Sequence, residues 1–468
     1  MSCDSVLFVS LFGLTELYLG IAKNMAAAGT RVRWISTNEY YTEYLISNGV
    51  NRADILQLIY RPSDFPDADA REALTRDITR CEEKDELTVN QILLMDRFIN
   101  ERPRRDINEF ICLYYRDIKR FLLDKAVTHV FAEPTNISDL VLYMICRELG
   151  VRYVSPRDMR YPPKRIVFFD GYNQKQVMPI GNGAHRIDGR SLLEAFAQRR
   201  PTPYYFDRLN RQRVIRPGKI ARAAVRRLRL RKIVSGDSLT HYDIRGRIKL
   251  TVRRAVNSFY LRRLCRYDDF DQIPGKLAFY PLHVQPENSI DVLGPYVNDQ
   301  LKLIKDIRRA LPFDTNLIVK EHPNFLGMKS VGFFRELKRI PNVRLIRHDV
   351  SAFDLYRKVN LVLTVSGTAA YEAGLLGIPA VTFSPMYFGG LSSVFYMNHP
   401  SQLKEQAPRL LNGFRRDIEA DCRFMESLVG NSREGYWTDP LFDRSVLDPD
   451  NIDKLATAFI ALLGHDRH

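Results

Sequence analysis

Cysteine is scarce in this sequence and follows no metal-binding or disulfide pattern. The 468 residues contain six cysteines, and no two of them form a C-x-x-C pair. Structural zinc sites and disulfide-rich secreted domains both depend on closely spaced cysteines. The sequence therefore predicts neither a zinc site nor a disulfide framework, and it favours a reducing compartment such as the cytoplasm.

Long apolar runs are also missing. The segment that comes nearest, residues 5–22, follows Asp4, contains Glu16 and has no basic residue before it. A membrane-spanning helix needs about 20 apolar residues, and a signal peptide needs a basic start. We interpret this segment as a buried strand that enters a helix. The prediction is a cytoplasmic protein, with peripheral binding to the inner face of the membrane as an added possibility.

Apolar segments predict strands, among them residues 277–282, 316–319, 343–346 and 361–365, and they alternate with helical segments such as the mostly helical stretch 290–311. This alternation favours an α/β fold with parallel sheets. The first strand–turn–helix unit lacks G-x-G-x-x-G, so dinucleotide binding is unsupported. Residues 160–190 lose periodicity and are rich in Pro and Gly, which is typical of a domain exit. We predict an N-terminal domain (1–190), a basic helical insert (191–274), a second α/β domain (275–415), and closing helices (416–468) that pack back on the first domain.

The basic residues are concentrated in one block. The formal net charge is +15, yet residues 199–266 alone hold 21 Lys and Arg against three acids. Such a block can attract nucleic acid, an acidic membrane surface or an acidic polymer, or it can be a solvated helical face. The residues expected to make such contacts are Arg222, Arg226, Arg227, Arg229, Arg231 and Lys232.

The stretch 360–384 predicts a strand, a small-residue turn, a helix and a second strand. Ser366, Gly367 and Thr368 occupy the turn. They therefore lie at the carboxyl end of a strand, where the amides and dipole of the following helix can hold a phosphate. Glu372 follows Thr368 by one helical turn. By position alone it is as consistent with an acid that favours the start of a helix as with a ligand of ribose hydroxyls.

Polar residues also follow two other strands of this domain. One set, His283, Gln285 and Glu287, lies in the stretch 283–289, and the other is Lys320-Glu321-His322-Pro323. Neighbouring strand ends of a parallel sheet face one crevice. A single histidine is more often structural than functional, but Pro323 fixes the direction of the chain at His322. His322 could donate to a phosphate or protonate a leaving group.

Three segments resemble one known family. KEHP at 320–323, SGTAAYEAGLLGIPAV at 366–381 and YPLHVQPENS at 280–289 are similar to the bacterial capsule polysaccharide biosynthesis glycosyltransferases. The resemblance implies a GT-B fold, in which two Rossmann-like domains face a cleft. It also implies a nucleotide-sugar donor bound without a metal or other cofactor. A CMP-linked acidic sugar is favoured, a UDP-sugar is the second option, and the acceptor would be a surface polysaccharide or glycolipid.

The same resemblance implies roles for individual residues. His322 would contact the donor phosphate, Ser366 and Thr368 would bind it at the helix start, and Glu372 would hold the ribose. Asp349 and Ser351 lie in the loop that would read the base. The remaining donor-site residues are expected to be His283, Gln285, Glu287, Lys320, Glu321, Pro323 and Gly367.

The catalytic base should come from the N-terminal domain across the cleft. Glu133 and Glu16 both follow predicted strands there and are the candidates. Three D-x-D sequences, at 67–69, 269–271 and 448–450, lie in polar, turn-like surroundings and are not predicted to bind metal.

Two other functions stay open at this point. A nucleotide-sugar epimerase would have the same fold and would turn over a UDP-sugar without an acceptor. A non-enzymatic protein that binds nucleic acid or another polyanion would act through residues 199–266 and bind with a steep salt dependence. That block lacks the interleaved aromatic residues of a single-strand platform, so no nucleic-acid partner is expected.

Overall fold

The computed structural model describes residues 4–96, 106–180, 188–199 and 244–465. They form two α/β units, each built on one sheet with apolar clusters on both faces. This confirms the predicted fold class.

The N-terminal unit contains a seven-stranded sheet. Its strands are β1 (Ser5–Ser10), β2 (Arg31–Ser36), β3 (Ile55–Gln57), β4 (His129–Phe131), β5 (Arg152–Asp158), β6 (Arg165–Asp170) and, from the far end of the chain, β13 (Arg433–Glu434). Its helices are α1 (Leu14–Ala27), α2 (Glu39–Ser47), α3 (Ala68–Glu82), α4 (Val89–Met95), α5 (Ile107–Asp124), α6 (Ile137–Leu149) and α7 (Gly189–Arg199).

The strand order is β13-β6-β5-β4-β1-β2-β3, and β1 to β5 pair in parallel. The sequence predicted no strand between 160 and 190, and this was wrong. β6 pairs antiparallel with β5, and β13 pairs antiparallel with β6. The surrounding Pro and Gly residues concealed a short run, Ile166 to Phe169, that is fully buried.

The C-terminal unit contains a six-stranded sheet in which every pairing is parallel. Its strands are β7 (Lys276–Pro281), β8 (Thr315–Lys320), β9 (Val343–Ile346), β10 (Leu361–Thr364), β11 (Ala380–Thr382) and β12 (Val394–Tyr396). The remaining helices are α8 (Ile244–Phe259), α9 (Asn288–Asp291), α10 (Gln300–Ala310), α11 (Val331–Leu337), α12 (Ala352–Tyr356), α13 (Thr368–Leu375), α14 (Leu403–Asn412), α15 (Ile418–Gly430) and α16 (Pro449–His465).

The second sheet has the order β12-β11-β10-β7-β8-β9, so its topology reverses between β7 and β10. Ligands of doubly wound sheets bind outside the strand ends at this reversal. One helix was predicted across 290–311, but the chain there forms α9 and α10 with a turn between them. Asp299 starts the second helix by accepting hydrogen bonds from the amides of Leu301 and Lys302.

The two units contact each other along one seam. Tyr371 Oη donates to Tyr161 O at 2.9 Å, and Tyr387 Oη donates to Met159 O at 3.1 Å. Met159 and Tyr161 share an apolar cluster with residues of the second sheet. The chain then returns to the first unit, where α16 packs on α1 and the ring of Phe459 lies 4.7 Å from that of Phe131.

Most of the basic block lies outside the described residues. This applies to Arg222, Arg226, Arg227, Arg229, Arg231 and Lys232. Of the predicted helical insert, the structure describes α7, α8 and a short π-helix, Tyr260–Leu264, that continues α8. Across the described ranges, no helix is long and apolar enough to cross a membrane.

Candidate functional site

His283 and Thr364 join the two strands at which the second sheet reverses. His283 Nε2 lies 2.8 Å from Thr364 Oγ1 and accepts a hydrogen bond from Val365 N at 3.2 Å. Burial lowers the pKa of His283 to about 3. The imidazole is therefore neutral, and its Nε2 is already hydrogen-bonded within the protein. His283 thus has a structural role at the bottom of the crevice.

Gly367 makes this close approach possible. Its amide donates to Thr364 Oγ1 at 3.1 Å, and an added Cβ would lie 2.6 Å from that oxygen. Because glycine has no side chain to cap α13, the amides at the start of the helix face the crevice without a side-chain cap. Thr368 is the first residue of this helix, whereas the Ser366 hydroxyl donates to Ser289 O and braces the neighbouring loop.

The end of β8 brings charged groups to the same edge of the sheet. Lys320 is 7% exposed, and burial lowers its pKa to about 8 in spite of nearby Glu372, Asp349 and Glu321. Burial and the charges of Lys320 and Lys329 lower the pKa of His322 to about 4. His322 is therefore neutral at physiological pH, and its ring lies 5.5 Å from that of Phe325, in the short turn that Pro323 begins.

Lys329 belongs to the site, although no sequence pattern predicted it. Its side chain is 8% exposed, and Nζ donates to His283 O at 2.5 Å and lies 3.8 Å from Glu321 Oε1. Through these two contacts, Lys329 links the end of β7 to the end of β8. Glu321 is 2% exposed, its pKa is raised by burial, and its Oε2 has no hydrogen-bond partner among the described residues.

Glu372 faces the crevice from α13. Tyr356 Oη donates to its Oε2 at 2.9 Å. Burial raises the pKa of Glu372 to about 7, although Tyr356, Arg160 and Lys320 each act to lower it. Arg160 comes from the N-terminal unit, so the surroundings of this carboxylate are built by both halves of the chain. Neither Tyr356 nor Arg160 was predicted from the sequence, because each meets Glu372 only through the tertiary fold.

Gln285 and Glu287 shape the loop after β7. The Gln285 amide donates to Asp291 Oδ1 and Asn298 O, at 2.8 and 3.1 Å, and accepts from Gln300 Nε2 at 3.0 Å. Glu287 accepts from Ser289 Oγ at 2.7 Å. In this arrangement the Gln285 amide is occupied in holding the loop against α9 and α10.

Asp349 and Ser351 lie in the loop after the edge strand β9. Arg347 donates to both Asp349 oxygens, at 3.0 and 2.6 Å, and lowers the pKa of Asp349 to about 2. Ser351 caps α12 by accepting from Phe353 N at 3.3 Å. A cavity of about 350 Å³ opens beside this loop, and its lining includes Arg262 and His348.

The two candidate bases lie in different surroundings. Glu133, in the turn after β4, accepts from Arg157 Nη1 at 2.8 Å and from Trp437 Nε1 at 3.1 Å. Asn288 Nδ2 donates to O of the adjacent Pro134, so this turn contacts the second unit. Glu16, in the first turn of α1, pairs instead with Arg444 at 2.9 Å.

Two of the three D-x-D sequences have local roles at their first residues. Asp67 caps α3 by accepting from Ala70 N, and Asp269 accepts from Asp271 N. No group of three or more His, Cys, Asp or Glu side chains that could hold a metal ion occurs within the described part of the chain.

Residues 211–409 match a family model described as capsule polysaccharide biosynthesis protein. The match includes all three segments on which the sequence resemblance was based. It covers less than half of the 468 residues. No curated protein matches the chain in sequence.

Solved structures give weaker likenesses. Thermosulfurimonas dismutans KpsC, a beta Kdo 2,7 transferase, is 14% identical with a TM-score of 0.33, over 72% of this chain and 90% of that one. Methanocaldococcus jannaschii UDP-GlcNAc 2-epimerase is 12% identical with a TM-score of 0.28, over 92% and 99%. Anabaena Alr3699/HepE in complex with UDP-glucose is 9% identical with a TM-score of 0.27, over 98% and 99%.

TM-scores below 0.5 do not establish that two whole proteins have the same arrangement, so the fold assignment depends on the strand orders given above. The likeness to a family rests on the match over residues 211–409, which contain the strand ends with His283, His322 and Ser366. Over this region, the chain is similar to the capsule polysaccharide biosynthesis proteins.

Proposed function

We propose that the protein is a glycosyltransferase that moves a sugar from a nucleotide-sugar to a polysaccharide or glycolipid acceptor. One observation carries this proposal. Lys320, His322, the start of α13 and Glu372 meet at the strand ends beside the topological reversal of the second sheet. This combination offers cationic and hydrogen-bonding groups for a diphosphate or phosphate, together with a carboxylate for ribose hydroxyls.

The donor would lie across these strand ends. The amides at the start of α13 and the Lys320 ammonium would bind the phosphate oxygens, and His322 would donate to the oxygen of the scissile bond. Glu372 would accept hydrogen bonds from the ribose. A CMP-linked acidic sugar is the favoured donor on the basis of the sequence resemblance, and a UDP-sugar is the second option.

Transfer would then be a direct displacement. An acceptor hydroxyl attacks the anomeric carbon, the bond from that carbon to the phosphate oxygen breaks, and the electron pair stays on the phosphate. Lys320, His322 and the α13 dipole stabilise the new negative charge, so we propose a reaction that needs no metal. Glu133 would take the acceptor proton, because its turn contacts the donor unit through Asn288 and Pro134.

The test is nucleotide binding followed by turnover. We expect one of CMP, UDP, GDP or their sugars to raise the melting temperature of the wild type, and His322→Ala to reduce that rise. His399→Ala is the matched control, because His399 is exposed and caps only a local turn. Stabilisation by none of these nucleotides would refute the donor site. Turnover of a UDP-sugar without an acceptor would instead identify an epimerase.

We further propose that α8 holds the enzyme on an anionic membrane surface. Ile248, Val252, Val256 and Phe259 recur at intervals of four, four and three residues and are each 57–60% exposed. This spacing places them on one face of the helix. The opposite face is docked, since Asn257 Nδ2 donates to Gly327 O at 3.1 Å and Ser258 Oγ to Leu326 O at 2.9 Å.

Charge complementarity supports a membrane as the partner of this apolar face. Lys249 and Arg253 are exposed beside it on the same helix. An apolar stripe with basic neighbours is typical of helices that lie in the interface of anionic membranes. The apolar face could instead be covered by a second copy of the chain or by another segment of the same chain, and the test must distinguish these cases from membrane binding.

Vesicle binding tests this surface. We expect the wild type to sediment with vesicles that contain phosphatidylglycerol but not with pure phosphatidylcholine vesicles. Val252→Glu combined with Val256→Glu should abolish this binding, while Lys302→Glu on exposed α10 serves as a control. Equal binding by the double variant would refute the proposal, and so would a dimer of the free protein that the double variant dissociates.

A further inference from the structure

Residues 322–329 form a loop between β8 and α11, the donor loop, that has a donor-site residue at each end. His322 begins the loop shortly after β8, and Lys329 ends it just before the residue that caps α11. Inside the loop, Phe325 N donates to His322 O and Met328 N donates to Phe325 O, each at 3.2 Å. The positions of both donor-site groups therefore depend on how the residues between them are held.

Helix α8 holds the middle of the donor loop. Leu326 O accepts a hydrogen bond from Ser258 Oγ at 2.9 Å and another from Arg254 Nε at 3.4 Å. Gly327 O accepts from Asn257 Nδ2 at 3.1 Å, and Asn257 is only 5% exposed. The three donors lie three and four residues apart in sequence, so they share one face of α8. Two consecutive carbonyl groups of the loop are thus bonded to this helix.

The contact is closely fitted at Gly327. Its φ of +86° favours glycine, and an added Cβ would lie 2.3 Å from Ser258 Oγ and 2.5 Å from Arg254 O. A larger residue would therefore push α8 away from the loop. Leu261, in the π-helix that continues α8, belongs to the same buried apolar cluster as Leu326. The helix and the middle of the loop consequently pack together.

The support from α8 reaches His322 through one neighbouring side chain. The His322 ring lies 5.5 Å from the ring of Phe325, which immediately precedes Leu326. The ring beside the imidazole is thus attached to the residue that α8 holds. At the other end of the loop, Lys329 is fixed by its hydrogen bond to His283 O. Because groups that act on a bound substrate need positions accurate to about 0.5 Å, a shift of the loop middle would misplace the imidazole.

We propose that Asn257 and Ser258 are positioning residues of the donor site, through which docked α8 holds His322 where it meets the donor phosphate. This inference rests on the proposed glycosyltransferase function. It adds a regulatory role for the basic helical insert, because α8 acts on the site without contacting the nucleotide. When α8 leaves the loop, Leu326 O and Gly327 O lose their donors and nucleotide affinity falls. The docking of α8 therefore sets the fraction of the protein that is competent to bind the donor.

Hydrogen exchange tests the contact without a nucleotide. Exchange of the amides in residues 322–330 is followed by mass spectrometry in the wild type, in Asn257→Ala and in Thr251→Ala. Thr251 is exposed on the same helix and provides the control. We expect Asn257→Ala to speed exchange at least roughly tenfold, because the donor loop opens more often, and Thr251→Ala to leave it unchanged. Equal exchange in all three proteins would overturn the proposal.

Nucleotide binding tests whether the contact acts on the donor site. The probe is whichever of CMP, UDP or GDP gives the largest thermal shift, and its Kd is measured by calorimetry at pH 6 and pH 8. We expect Asn257→Ala to raise Kd roughly tenfold at pH 6 and less at pH 8, because the contribution of His322 to affinity grows as the pH falls. In a His322→Gln background, the same change should raise Kd less than about threefold at either pH.

Ser258→Ala keeps the test valid if Asn257→Ala does not fold. It removes one of the two donors to Leu326 O, so it should raise Kd in the same direction and by a smaller factor. A contact that serves the fold alone would lower the melting temperature but leave Kd and its pH dependence unchanged, and this result would overturn the proposal. Equal rises of Kd in the wild-type and His322→Gln backgrounds would overturn it as well.

Failure of the donor site is a separate result. A wild type that binds none of the three nucleotides would refute the proposed donor site, and the positioning role with it. A wild type that binds a nucleotide and an Asn257→Ala protein that binds it equally well would refute the positioning role alone.

Discussion

The imidazole of His283 and the hydroxyl of Thr364 meet at 2.8 Å across the point where the order of the second sheet reverses. Thr364 Oγ1 also accepts from Gly367 N, the residue before α13. One hydroxyl therefore fixes the end of β7, the end of β10 and the start of the helix that would bind the donor phosphate.

Removing that hydroxyl should be costly for the fold. Thr364→Val keeps the shape of the side chain but leaves buried His283 Nε2 and Gly367 N–H each with one partner fewer. We expect a loss of about 1–3 kcal/mol in the free energy of unfolding, measured with urea. Thr364→Ser retains the hydroxyl and should lose less, and equal losses in the two variants would contradict this role.

Glu372 should destabilise the free protein at high pH. Its folded pKa of about 7 lies above the ordinary value of 4.5, so the folded state favours the neutral acid. The contribution of Glu372 to the free energy of unfolding is therefore largest below pH 4.5. It falls as the pH rises through 7, by at most about 3 kcal/mol. Glu372→Gln should therefore unfold at higher urea than the wild type at pH 8, and at nearly the same urea at pH 5.

The same variant should bind nucleotide less well, because an amide is a weaker acceptor for ribose hydroxyls than a carboxylate. A Glu372→Gln protein that is less stable than the wild type at both pH values would show that the carboxylate serves the fold and not a ligand.

His322 should couple nucleotide binding to a proton. Its pKa of about 4 in the free protein would rise beside a bound phosphate, so the complex takes up a proton that the free protein lacks. The contribution of His322 to nucleotide affinity therefore increases as the pH falls below the pKa that His322 has in the complex. We expect the ratio of Kd values for His322→Gln and wild type to be larger at pH 6 than at pH 8.

The titration of the ligand and of Glu372 affects the Kd values of both proteins equally, so it does not change their ratio. The nucleotide that gives the largest thermal shift is the probe, and calorimetry is the measurement. A ratio that stays constant with pH would mean that His322 does not contact the phosphate.

Lys329 should matter for stability as much as for binding. Lys329→Met leaves the buried Glu321 carboxylate uncompensated and removes the donor to His283 O. We expect a loss of about 3 kcal/mol at pH 7. The loss should become smaller as the pH is lowered, because burial raises the pKa of Glu321 and so favours its neutral form. Lys302→Met, which breaks an exposed pair with Asp306, should cost no more than about 0.5 kcal/mol.

Much of the fold could be predicted from the sequence, because the strands of the second unit are buried on both faces and therefore consist of consecutive apolar residues. β9 was predicted with its observed bounds, and β7, β8 and β10 to within one or two residues. The break between α9 and α10 was missed, because the intervening turn keeps apolar residues such as Val292 and Leu293 at helical spacing.

The sequence by itself determined the strand ends, and with them the positions of His283, His322, Ser366 and Glu372, since each follows an apolar run or lies one turn into a helix. Only the tertiary structure decided what these groups do to one another. Burial shifts the pKa of His322 downward and that of Glu372 upward. Lys329, Tyr356 and Arg157 contact Glu321, Glu372 and Glu133 from other elements of the fold. No periodicity of the sequence encodes such contacts, because they depend on how sheets and helices pack.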